Sequence, residues 1–174
     1  LAKPNPKALA QIFSNKHTWA MTLLYTCSFG AFSGYAAALG LLVKTEFPEI
    51  PFAHIAFVGP LVSASLRPVG GWLADKINSG TKITFIGLIG LCITTVLIAV
   101  GVDMHHFDFF FGMTVLMFVS CGFVTGSTFR MIPHIFTDGL QSSLIAGFVA
   151  AVAAYGAFIT PKIFGYVYTT FGSI

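Results

Sequence analysis

Residues 57–82 read FVGPLVSASLRPVGGWLADKINSGTK, and this stretch decides the fold. It is an apolar helical segment with one internal arginine, Arg67, eight residues before Asp75. It then opens into a short polar loop bounded by Lys76 and Lys82. At 1.5 Å of rise per residue, Arg67 stands about 12 Å along the helix from Asp75, too far to snorkel easily to a headgroup layer. A charged side chain at such depth is costly, and it faces a water-filled cavity or a partner that marks an ion or substrate path.

The rest of the chain agrees with a membrane setting. Charged residues make up only 9% of it and hydrophobic residues 56%, against about a quarter charged in a soluble domain. Such a composition cannot cover a water-facing surface. The apolar runs are too long and continuous for an outer-membrane barrel, whose strands alternate over about ten residues. The expected fold class is an all-α polytopic membrane protein with about five transmembrane helices, near 17–43, 52–76, 82–102, 107–136 and 144–168. Residues 1–16 read as the end of a cytoplasmic linker, and residues 17–174 as the membrane domain. Ser14 or Asn15 is placed to cap the first span. Pro60 and Pro68 should each disturb the second span, because proline lacks an amide donor.

Sidedness follows from the basic residues. The lead carries Lys3, Lys7 and Lys16, and the loop after the second span carries Lys76 and Lys82. The loop after the third span has neither lysine nor arginine. The N-terminus is therefore expected in the cytoplasm, with the chain multi-pass in the cell inner (plasma) membrane. A net charge of +3 without a basic patch points to no nucleic-acid partner. Cys27, Cys92 and Cys121 fit no metal or redox spacing. Asp103, His105, His106 and Asp108 cluster in one loop without a fixed ligand geometry, so neither a metal nor a cofactor is expected. No paired carboxylate or activated nucleophile lies within the spans, which argues against an enzyme.

Small residues recur at helical spacing. Gly30 with Gly34, and Gly122 with Gly126, are each four apart and should face other helices closely. Tyr25 and Phe29 share one face of the first span, where they either line a cavity or pack. Residues 122–133 are polar for a spanning helix. Thr125, Ser127 and Thr128 there either bond back to helix carbonyls or meet a small anion beside Phe129.

The segment 71–76, GWLADK, resembles the loop signature of the major facilitator superfamily. Further stretches narrow the resemblance: LYTCSFGAFSGY at 24–35, FVGP at 57–60, LRPVGG at 66–71, GSTFRMIPHIF at 126–136, GFVAAVAAYGAF at 147–158 and PKIFG at 161–165. In this order they resemble helices seven to eleven of the nitrate/nitrite porter family. The resemblance implies secondary active transport of nitrate or nitrite by alternating access. The anion would be bound between two halves, with one arginine from each.

It implies Arg67 as the arginine of this half, Tyr25 and Phe29 as residues approaching the anion, and Phe129 as an aromatic stacking on it. Ser127 and Thr128 share the same polar turn. Gly71, Asp75 and Lys76 belong to the signature, with Asp75 expected to brace helix ends through backbone amides and a basic group. With the glycines Gly30, Gly34, Gly122 and Gly126 they form the expected gating set. The implied partners are nitrate or nitrite, the lipid bilayer, and a missing N-terminal half (helices one to six) with helix twelve. A fragment or split half is thus expected, not competent alone. Thr125-Gly126 departs from the family pattern, which often carries a Gly-Asn pair before Ser-Thr-Phe. A transporter of another small anion and an inactive truncated subunit are the alternatives.

Overall fold

Helix start signals set the frame of the molecule. In the computed structural model, which describes residues 12–51 and 55–171, the long helices are α1 (Lys16–Glu46), α2 (Val58–Lys76), α3 (Gly80–Asp103), α4 (Phe107–Ile135) and α5 (Gly139–Phe171). The Asn15 carboxamide accepts from the His17 amide at 2.9 Å. The Ser79 hydroxyl accepts from the Lys82 amide at 3.4 Å. His106 Nδ1 accepts from the Phe109 amide at 3.4 Å, so one histidine of the cluster between the third and fourth helices is a cap. The Asp138 carboxylate accepts from the Leu140 amide at 3.2 Å. Each bond satisfies a donor that a helix N-terminus otherwise leaves orphaned.

The caps also explain where the structure departs from the expected bounds. Asp138 starts α5 at Gly139, five residues ahead of the expected 144. Pro60 lies in the first turn of α2, where an amide has no helical acceptor to lose. Pro68 is the proline inside α2. The expected start of the second span at 52, His54, and Lys3 and Lys7 of the lead lie outside the described residues.

No strand occurs among the described residues, and the fold is an all-α polytopic membrane protein. Four helices, α1, α3, α4 and α5, are long and apolar enough to cross a membrane. The fifth, α2, carries Arg67, Asp75 and Lys76 and falls outside that set on composition. Its 19 residues still measure about 28 Å, close to the hydrocarbon thickness.

At the centre lies α4, packed along both α2 and α3 and reaching α1, while α1 and α5 pair separately. Phe110, Met117, Phe118, Cys121 and Val124 of α4 are fully buried. One apolar cluster gathers Met21, Ile132, Ile145 and Val149 at the end that carries the α2–α3 loop. A second gathers Leu42, Val43, Phe110 and Phe118 at the opposite end. Large apolar side chains such as Leu23, Phe85, Ile93, Val96 and Phe158 point outward, as lipid-facing residues do.

Candidate functional site

Between the two apolar clusters sits Arg67. Pro68, next in the chain, has no amide to offer the Ala64 carbonyl, so the helix is locally open beside the arginine. The guanidinium carbon lies 4.8 Å from the centroid of Phe32 and 5.9 Å from that of Phe29, both on α1. These distances fall within cation–π range. The rings satisfy charge but not hydrogen bonding: Arg67 Nε is buried and has no partner among the described residues. No carboxylate pairs with Arg67 among them either. A buried donor on an unneutralised cation is an arrangement that an anion completes.

The surrounding surface is rich in aromatic rings. Tyr25 stacks on Phe29 with centroids 5.3 Å apart and meets Phe129 edge-on at 4.7 Å. Tyr25, Arg67, Thr125, Phe129 and Pro133 line a cavity of about 600 Å³ floored by Gly71 and Gly126. Thr125 is linked to Ser28 of α1 by a hydroxyl contact of 3.4 Å. The structure thus brings together Arg67, Tyr25 and Phe129 at one cavity, with Phe29 behind them under the guanidinium.

Ser127 and Thr128 are not brought there. The Ser127 hydroxyl lies 2.7 Å from Thr84 Oγ1 on α3 and donates to the Val124 carbonyl at 3.1 Å. Thr128 is fully buried, its hydroxyl has no partner among the described residues, and it does not line the cavity. The cavity face of α4 consists of residues 125, 126, 129, 130 and 133. That is a helical stripe of period near 3.6, and positions 127 and 128 fall off it.

The small residues stand at helix contacts. Gly30 lies against the Gly156 backbone, and a side chain at Gly34 would strike Thr160, both on α5. At Gly122 a Cβ would lie 2.7 Å from the Ser63 carbonyl oxygen, and at Gly126 it would fall on the carbonyl oxygen of Arg67. At Gly71 it would meet the Gly126 carbonyl oxygen at 3.6 Å. The expected brace at Asp75 has a side-chain partner: Arg130 Nε donates to Asp75 Oδ1 at 2.6 Å, and His134 Nε2 lies 3.7 Å from the same oxygen. Lys76 instead lies over the Trp72 ring, 5.0 Å from its centroid.

These contacts form two facing rows. Arg67, Gly71 and Asp75 are four apart on α2, and Gly126, Arg130 and His134 are four apart on α4. Phe32 and Arg130 were not among the site residues expected from the sequence, and of the three hydroxyls in the polar turn Thr125 is the one that lines the cavity. Phe32 is seven residues beyond Tyr25 and three beyond Phe29, so the i, i+4, i+7 stripe carries its signal.

No family model matches the chain. It is similar to the nitrate/nitrite transporter NarU of Escherichia coli (strain K12), 30% identical over 88% of this chain and 38% of that protein. It is 34% identical to the probable nitrate/nitrite antiporter NarK2 of Thermus thermophilus, over 89% of this chain and 36% of the relative. The nitrite extrusion protein of Bacillus subtilis (strain 168) is 28% identical over 92% of this chain and 40% of its own length. The chain therefore spans about four tenths of the relatives it matches.

Proposed function

This chain is a relative of the nitrate/nitrite porter family over 88–92% of its length, and from that premise we propose that it forms part of a secondary transporter of nitrate, nitrite or both. One observation carries the reading: the buried, unpartnered Nε of Arg67 above Phe32, at the wall of a ring-lined cavity. Nitrate and nitrite are planar, singly charged and weakly hydrated. A guanidinium offers them a planar fork of donors, and charge-assisted bonds give both energy and orientation. Tyr25, Phe29 and Phe129 supply flat walls that select shape.

In this reading the site is half of a whole. Helices outside this chain, the six of an N-terminal half and a twelfth, contribute a second arginine, and the anion is exposed to each side in turn. Tight glycine contacts suit surfaces that rock against one another. Among the described residues no carboxylate lines the cavity, which favours exchange of one anion for another over proton symport. The transporter lies in the inner (plasma) membrane with the start of this chain cytoplasmic.

The test is nitrate binding and counterflow in proteoliposomes containing the complete transporter, comparing wild type with Arg67→Lys and Arg67→Ala. Lysine keeps the charge and loses the fork, so most transport should go. Alanine should weaken binding by a factor of roughly 10² or more. Near-native affinity in correctly inserted Arg67→Ala would remove Arg67 from the site. A strong preference for an organic anion would keep the site and overturn the substrate.

A further inference from the structure

Arg130 belongs to two cavities. It lines the one around Arg67, and it also lines a second of about 620 Å³ at the α2–α3 loop end, bounded by Asp75, Ser79 and His134. Its side chain is 44% exposed, and only Nε is engaged, on Asp75. The terminal nitrogens make no hydrogen bond among the described residues. Gly71, opposite, leaves the side chain room: a Cβ there would stand 4.0 Å from Arg130 Cβ. Asp75 lies about 12 Å along α2 from Arg67, so Arg130, held on Asp75, is set well apart from the first arginine.

We infer that Arg130 is a second, weaker anion-binding station between the Arg67 cavity and the α2–α3 loop end, resting on Asp75 when empty and drawn off it by a small planar oxyanion. The inference rests on the transport reading above. Its chemistry is that of the same guanidinium fork, with donors free to swing. Competition is feasible because both members of the ion pair are wet, and exposed pairs hold weakly. When Arg130 turns to an anion, Asp75 still has His134 Nε2 at 3.7 Å. Occupancy of the station therefore loosens the one side-chain ion pair that joins α2 to α4 through an arginine among the described residues. Passage of the anion and release of that end of the bundle become one event.

The experiment uses the complete transporter in proteoliposomes. Nitrate is the probe for both equilibrium binding and exchange, in wild type, Arg130→Gln, Asp75→Asn and the double variant. Arg130→Gln should raise the half-saturating nitrate concentration for exchange about fivefold, and by more than it raises the equilibrium dissociation constant. Asp75→Asn should lower the half-saturating concentration, because the competing carboxylate is gone, and adding Arg130→Gln should abolish that gain. If Arg130 serves only as a brace, both single variants shift exchange in the same direction, and that result overturns the station. Unchanged exchange kinetics in Arg130→Gln with normal nitrate binding in wild type also overturns it, and leaves the transport reading standing. Wild type that binds neither nitrate nor nitrite overturns both. Should Arg130→Gln fail to insert, the sign of the Asp75→Asn effect decides alone.

Discussion

At the scale of the residue, the site depends on how one guanidinium is held. Phe32 is the closer of the two rings under Arg67, at 4.8 Å. A leucine there fills similar space and lacks the negative ring face. A cation–π contact contributes about 0.5–2 kcal/mol, so Phe32→Leu should weaken nitrate binding by about two- to thirtyfold in calorimetric titration of the intact transporter. Unaltered affinity would show that Phe29 orients the arginine alone. Arg67 was legible in the sequence because a charge inside an apolar helix is rare, whereas Tyr25 and Phe129 were expected beside it through the family resemblance, rings being common in a chain that is 15% aromatic. Ser127 and Thr128 were expected beside them because composition marks a polar turn without saying where each hydroxyl points. The turn puts Ser127 on Thr84 of α3.

At the scale of the element, α2 and α4 approach as closely as backbones allow. A methyl group at Gly126 would fall on the Arg67 carbonyl oxygen, so Gly126→Ala must part the two helices beside Arg67. Overpacking of this kind costs about 1–3 kcal/mol. Thermal unfolding in detergent should show that loss together with a sharp fall in transport. Gly112→Ala, on the same helix with nothing within 4 Å, should change neither. Equal effects at the two positions would remove close apposition as the reason for Gly126. The helices themselves were visible from apolar run length. Their starts depend on single caps such as Asp138, whose aspartate sits in a short loop and reads equally well as loop or cap until the Leu140 amide is seen to bond it.

At the scale of the whole molecule, two packing groups, α1 with α5 and α2 with α3 and α4, meet where α1 touches α4. Arg67 reaches across from one group to the rings of the other. The Asp75–Arg130 pair ties α2 to α4 at one end only. An exposed pair contributes up to about 1 kcal/mol, so Asp75→Asn should shift the balance between conformations up to about fivefold. Accessibility of single cysteines placed along the cavity should report the shift, and an identical labelling pattern in the variant would deny Asp75 a part in that balance. Asp75 was expected as a brace with a basic partner, but that the partner is Arg130 could not be read from the linear sequence, because it depends on which turn of α2 lies opposite which turn of α4. That matching has a consequence for length. Deleting one residue between Arg67 and Asp75 would swing one of them about 100° around its axis. Either the cavity would lose its cation or the loop end its tie. The seven residues between them are therefore fixed in number as well as, at Pro68, Gly70 and Gly71, in kind: even a loss that spared those three would break the match.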